Sequence, residues 1–234
     1  MIPNDMQNGG WTLMPDWQDK GFVLGARRFG ENGVILSVLS STHGKHLGLI
    51  RTRTIPLTGA LVTLKWRARL AEQLGNFTCE VINPLSAAYM DDKARLSAIG
   101  CICTLLDETL PEREPVDDFY DMLFDFMNNL SQNDWREKYV RLELELLKVL
   151  GFGLDLTKCA AGGSGELAFV SPKTGRAVSR EMAEPYKAKL LPLPAFLTKD
   201  APATDADIRD GLKLTGFFLS QQVKSLPIQR RYIG

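Results

Sequence analysis

The chain has no run that approaches the roughly 18–20 consecutive apolar residues of a membrane-spanning helix. The sequence therefore excludes a helical membrane protein. Histidine is almost missing: His43 and His46 are the only two. Their H-x-x-H spacing has no neighbouring Cys, Asp or Glu to complete a metal site, so they read as turn and surface histidines. Cysteine is scarce too, at four: Cys79, Cys101, Cys103 and Cys159. That is no disulfide framework. Cys101 and Cys103 stand two apart in a helical pattern and point to different faces, a poor metal pair. All four read as buried free thiols.

Catalytic signatures are absent as well. The cluster Gly162-Gly163-Ser164-Gly165 lacks the Lys-Ser/Thr that completes a phosphate-binding loop. Glu166 stands where a nucleophile elbow needs glycine. The carboxylates between Asp117 and Asp125 read as a solvated helix face. No catalytic residue, metal or cofactor is expected, and the chain reads as a non-enzyme. Residues 1–15 are polar, with Asn4, Asp5, Gln7 and Asn8, and have no charged start with an apolar stretch behind it. They read as a flexible tail on a cytoplasmic protein.

The formal net charge is zero over 234 residues, and this conceals a strong segregation. From Lys20 to Leu70 nine Lys/Arg face one acid, Glu31, a net of +8. From Asp91 to Leu150 seven basic residues face fourteen acidic ones, a net of −7. From Gly151 to the end twelve basic residues face eight acidic ones, a net of +4. A basic first third and an acidic middle suggest two domains with different partners, the first suited to a polyanion.

Five short strand patterns fill the basic part. They are 21–28, 33–40, 45–53, 61–69 and 77–82, separated by turn residues such as His43-Gly44 and closed by Asn83-Pro84. The fourth alternates most clearly. Leu61, Thr63, Lys65, Arg67 and Arg69 share one face, opposite Val62, Leu64, Trp66 and Ala68. Five strands in about 70 residues fit a small barrel of the OB type. The period then becomes helical. Leu96, Ile99, Cys103, Leu106 and Leu110 form one helix face, which Pro111 ends. Pro115 suits the first turn of a second helix, whose stripe runs from Val116 to Leu130. Asp134 with Glu137 forms a capping-box pattern for a third, which stops at Gly151. The glycine-rich 155–180 stretch reads as a hairpin or irregular insertion, and 205–226 as a last helix.

Basic residues that alternate with apolar ones on a barrel suit a phosphate backbone, read without sequence preference. Arg27, Arg28, Lys45, Arg51, Arg53, Lys65, Arg67 and Arg69 are the candidate DNA contacts. Trp66 and Phe77 are expected in the barrel core, and Phe29, at a turn, is the better base-stacking candidate.

Several stretches carry a resemblance. WQDKGFVLGARRFGENGVIL at Trp17–Leu36 and THGKHLGLI at Thr42–Ile50 are similar to the N-terminus of RecO proteins, the alphaproteobacterial type in particular. RLELELLKVLGFGLDL at Arg141–Leu156, VSPKTGRAVS at Val170–Ser179 and LLPLPAFL at Leu190–Leu197 resemble the same family in the same order. The resemblance covers most of 17–225. It implies an α+β protein: a five-stranded OB-fold barrel at 16–88, then an α-helical domain at 89–234 with a zinc-ribbon-like insertion at 155–180. It implies binding of single- and double-stranded DNA, annealing of complementary strands and, with RecR, help in loading RecA onto DNA coated by single-stranded-DNA-binding protein. It also implies contact with that protein's acidic, hydrophobic C-terminal tail. Lys138 and Arg141 are the candidates for the tail, in a hydrophobic groove with a basic rim; pairing with Glu137 or Glu145 is the alternative. A cytoplasmic, nucleoid-associated location follows.

Two departures stand out. Cys159 matches the first of four zinc cysteines found in many members, but Gly162 occupies the second position and no further cysteine follows. One thiolate cannot make a tetrahedral site, so a zinc-free insertion is expected. The basic loop after Ile50 is also short, passing from Arg51 and Arg53 to Pro56 and Gly59. This keeps two alternatives open: an adaptor for RecR and the single-strand-binding protein with little DNA affinity, and an OB-type RNA-binding module.

Overall fold

A computed structural model describes residues 16–31, 33–52, 54–70, 72–199 and 201–234. The first five strands are β1 (Asp16–Phe29), β2 (Gly33–Ser40), β3 (Gly44–Ile50), β4 (Leu61–Arg67) and β5 (Asn76–Asn83). They close into a barrel in the order β1-β2-β3-β5-β4. β1 is the longest because it serves two neighbours. Its first half pairs β4, from Asp16↔Arg67 to Phe22↔Leu61, and its second half pairs β2, from Gly21↔Ser40 to Phe29↔Gly33. It therefore starts five residues before the expected Gly21, where sequence alternation alone shows no strand. A register shift between Val23 and Gly25 lets the one strand turn the barrel's corner.

Alternation decides what fills the barrel. Val23, Leu36, Val38, Val62, Leu64, Trp66 and Phe77 point inward and are buried. Trp66 and Phe77 are thus core residues, as their positions on strands implied. Glycines make room for both rings: a Cβ on Gly75 would overlap the Trp66 indole, and one on Gly48 the Phe77 ring.

The second core belongs to the helices α1 (Lys93–Thr109), α2 (Asp117–Asn128) and α3 (Trp135–Val149), the short α4 (Arg180–Ala183), and α5 (Asp205–Leu219). α1 starts at Asp92, whose carboxylate accepts the Arg95 N–H at 3.0 Å. α5 starts with a capping box between Thr204 and Asp207. Three sequence expectations need correction. Pro115 precedes the cap of α2 and is outside its first turn. Asp134 makes no capping bond; it pairs with Lys138 at 3.4 Å, while Glu137 accepts the Ala203 N–H at 3.1 Å. The last helix ends at Leu219, and the chain closes in a 3-10 turn at Ile228–Tyr232.

The two cores meet along one side of the barrel. Phe22, Leu24, Leu39 and Leu61 belong to the helical core although they sit on barrel strands. The approach is close there: Gly59 lies against the Ile99 side chain and Gly44 against the Glu114 backbone, each too close for a Cβ. The insertion is a three-stranded sheet of β6 (Leu167–Val170), β7 (Ala177–Ser179) and β8 (Leu191–Pro192), in the order β7-β6-β8. Val170 and Ala177 anchor it in the helical core.

Candidate nucleic-acid interface

Because Val62, Leu64 and Trp66 point inward, Thr63, Lys65 and Arg67 point outward. Register places Lys20 beside Thr63, Gln18 and Thr78 beside Lys65, and Asp16 beside Arg67. This face is basic but not purely so. Asp16 pairs with Arg67 at 3.1 Å, and Asp19 and Glu80 line the same shallow depression as Lys20 and Lys65. The Asp16–Arg67 pair is half exposed, and such pairs contribute at most about 1 kcal/mol, so a phosphate can displace it. Arg69 follows the strand and is exposed.

A second basic group lies at the other end of β1. Arg28 and Arg51 line one groove with Glu31, Thr52 and Ile55. Phe29 beside them is 55% exposed and free to stack. Around the closed barrel the two groups approach each other: Arg67 pairs Asn76, Asn76 bridges Leu49, and Arg51 stands two residues beyond Leu49, roughly 17 Å of backbone spacing. The structure thus brings Arg67, Arg51 and Arg28 to one side of the barrel, with Lys20 and Lys65 further along β1 and β4. Arg27 is exposed, yet it shares its cleft with Asp107 and Glu112. Arg53 lies outside the described residues.

Lys45 must be removed from the candidates. It is 8% exposed, and its ammonium donates to the Asp107 carbonyl at 2.8 Å, at the C-terminal end of α1. Ser37 donates to the Asp107 carboxylate at 2.5 Å. Alternation put Lys45 on the barrel's outer side correctly, but that side is covered by the helical domain. A cation bonding the free carbonyls of a helix end is favourable, and Lys45 is a tie between the domains.

The histidine expectation is also overturned at His46. It is buried inside the barrel mouth beside Trp17 and Trp66, its ring 5.0 Å from Trp17 and 5.5 Å from Trp66. His43 stacks flat on Trp17 at 4.1 Å, and Trp17 stacks on Trp66 at 5.8 Å. Asp19 fixes this turn. It accepts from the hydroxyls of Ser40, Ser41 and Thr42 and from the Thr42 N–H. Burial alone would raise the Asp19 pKa, but these bonds together hold it well below the usual carboxylate range.

Burial lowers the His46 pKa to about 4, helped by the nearby charges of Arg113 and His43. The folded state therefore holds His46 neutral where the unfolded chain protonates it. Its share of stability is complete above pH 6.5 and is lost as pH falls from 6.5 towards 4. Urea midpoints measured from pH 7 to pH 4.5 should fall with a slope of up to about 1.4 kcal/mol per pH unit. A His46→Phe variant should lose most of that slope in this window. An unchanged slope would remove His46 as its source.

The insertion's thiol differs from those of the helical core. Burial pushes Cys101 and Cys103 up to about 12. Cys159 is drawn down to about 7 by the Ser179 hydroxyl and the Ser179 N–H, 3.3 Å from its sulfur. The turn at Gly162 survives with φ +79°. Among the described residues no group of three His, Cys, Asp or Glu is placed to hold a metal ion.

The tail candidates occupy other roles. Lys138 pairs with Asp134, and Arg141 donates to the Phe196 carbonyl and lies over the Phe196 ring at 5.7 Å. A groove of apolar and cationic residues exists elsewhere on the helical domain. Leu212, Leu226, Pro227 and Ile228 line it together with Arg209, Lys213 and Arg231. Sequence reading missed it because α5 and the C-terminal turn build it jointly.

Comparison with known proteins decides the family. A family model described as the N-terminal part of recombination protein O matches residues 14–85, and one for its C-terminal part matches residues 90–231. The chain belongs to the RecO family. It is 42% identical to the DNA repair protein RecO of Rhodospirillum rubrum, over 93% of this chain and 94% of that one. It is 43% identical to the RecO of Methylocella silvestris, with 89% and 88% covered, and 41% identical to that of Cereibacter sphaeroides, with 91% and 92% covered. The RecO relatives thus match both the barrel and the helical domain. Among the described residues no helix is long and apolar enough to cross a membrane.

Proposed function

We propose that this RecO-family chain is a non-catalytic DNA-repair mediator whose barrel holds single- and double-stranded DNA by its phosphates. The observation that carries this reading is the line of outward cations along β1 and β4, with Phe29 exposed at one end. Lys20, Lys65, Arg67 and Arg69 form one phosphate-contacting group, and Arg28 and Arg51 the other; Arg27 and Arg53 are secondary contacts. Holding a strand extended while leaving its base edges free favours annealing to a complement. With RecR, the protein helps RecA onto a strand coated by single-stranded-DNA-binding protein. The acidic, hydrophobic tail of that coating protein docks in the groove of Leu212, Leu226 and Ile228, its acids meeting Arg209, Lys213 and Arg231.

A second reading has one observation in its favour. Asp16, Asp19 and Glu80 dilute the β4 face, which suits an adaptor that binds RecR and the coating protein but little DNA.

Fluorescence anisotropy with a labelled single strand, repeated across salt concentrations, separates the two. The DNA-binding reading expects a steep negative log–log salt dependence. Each phosphate left without its cation should reduce the slope by about 0.7, so a folded Lys65/Arg67/Arg69→Ala triple variant should show a slope shallower by roughly 2. An unchanged slope sinks that face. No binding at low salt by folded protein establishes the adaptor. Competition by RNA as effective as by DNA would point to an RNA-binding module instead.

A further inference from the structure

Two aromatic rings stand out of the described surface more than any others: Phe29, 55% exposed, and Tyr186, 63% exposed. Phe29 belongs to the barrel surface already described. Tyr186 is far from it in sequence, on the 3-10 turn Glu184–Lys189 that connects α4 to β8. That turn buries none of its residues, so Tyr186 contributes nothing to a core. Among the described residues it has no ring partner within stacking distance. An exposed tyrosine on a segment with no packing duty asks for another explanation.

Its surroundings are cationic. From Asp155 to Lys199 seven Lys/Arg stand against four Asp/Glu. Side chains three apart eclipse in a 3-10 helix, which puts Lys189 on the same edge as Tyr186. Lys187 lies within 3.8 Å of Glu184 and 6.0 Å of the Phe169 ring centroid, an exposed and weak pair. Lys158, Lys173 and Lys189 are exposed and belong to no ion pair among the described residues. Exposed Phe124 lacks this setting. It stands on α2 among Asp117, Asp118, Asp121 and Asp125, which repel a polyanion.

We propose that the Tyr186–Lys189 edge of the insertion is a second contact for single-stranded nucleic acid, separate from the barrel, with one base stacked on Tyr186 and the adjoining phosphates met by Lys187 and Lys189. An unpaired base offers a π-face to an exposed ring, and lysines supply sequence-independent phosphate contacts. A duplex hides its base faces, so this contact selects single strands over duplexes. The proposal rests on the DNA-binding reading of the barrel. It adds that one copy of this chain holds a strand at two places, on two parts of the fold.

Ultraviolet crosslinking of the full chain to oligothymidylate, followed by peptide mass spectrometry, tests it. The expected result is crosslinked peptides from two regions, one in the barrel and one containing Tyr186. Tyr186→Ala should remove the second and weaken single-strand binding about fivefold or more, while Tyr186→Phe, which keeps the ring, restores it. Duplex binding should change much less. Because Tyr186 is 63% exposed and belongs to no core, the alanine variant is expected to fold, and its melting temperature checks this. Barrel crosslinks without any at Tyr186, or an unaltered affinity in Tyr186→Ala, overturns the second contact alone and leaves the edge to a protein partner. No crosslink anywhere overturns both it and the DNA-binding reading.

Discussion

Replacing Arg230 with methionine should destabilise the protein by about 3–5 kcal/mol, among the largest effects expected of any single substitution. Arg230 holds Glu143 with two bonds, at 2.7 and 2.6 Å, and also donates to the Leu212 carbonyl and the Thr215 hydroxyl. Thr215 donates to the same carboxylate at 2.5 Å. Glu143 is fully buried on α3. Burial opposes the charge on Arg230, yet the adjacent carboxylate outweighs it and raises the arginine pKa further. Removing the guanidinium leaves a fully buried carboxylate with one hydroxyl donor. The C-terminal turn would loosen with it, although Ile233 remains bonded to Arg136 at 2.7 Å and Lys93 remains over the Tyr232 ring at 3.7 Å. A buried ion pair is seldom better than apolar residues of equal volume. The triple variant Glu143→Leu, Thr215→Val, Arg230→Met should therefore recover most of the stability. Urea denaturation midpoints decide it. A change under about 1 kcal/mol in Arg230→Met would show that the pair carries no such weight. A triple variant as unstable as the single one would show that the polar network itself is required.

The residues behind this network show where sequence reading stopped. Glu143 lies in LELEL, where alternation and helical period compete; the helix was legible, but not that its Glu143 face would be buried. Its partner is 87 residues away, and no local pattern joins them. Lys45 failed for a related reason. Period-two alternation sorts side chains into two faces, but only a second domain decides whether the outer face meets water. His46 shows the converse: it shares a strand face with Gly48 and Ile50, which are inward-facing, yet its polarity and the turn beside it argue for the surface. The five barrel strands, the cores of β4 and α1, and the cations on β4 were all readable, because each depends on neighbours within one strand or helix. The groove on the helical domain and the Trp17–His43 stack were not, because two distant segments make each of them.

The second large effect lies at Gly44, where a single methyl group should destabilise by about 2–5 kcal/mol. Gly44 has φ +69°, a conformation that costs an L-residue about 1–2 kcal/mol. Its Cα also faces the backbone of Glu114, so that a Cβ would overlap main-chain atoms that cannot swing away. Overpacking of that kind costs about 1–3 kcal/mol more. The clash has wider reach than its size suggests, because the next residue is the tie between domains: the Lys45 carbonyl accepts the Arg113 N–H at 2.7 Å, and the Lys45 ammonium reaches the end of α1. Gly30 supplies the control. It has φ +63°, but nothing lies within 4 Å of an added Cβ. Gly30→Ala should therefore show the backbone cost alone, and the difference between the two variants in urea midpoint isolates the steric part. A difference of about 1 kcal/mol or more means that the turn and the segment after α1 are pressed together as a unit, so a load on the barrel passes directly to the helical domain. If Gly44→Ala costs no more than Gly30→Ala, the turn yields freely, and the barrel can shift against the helices at little cost.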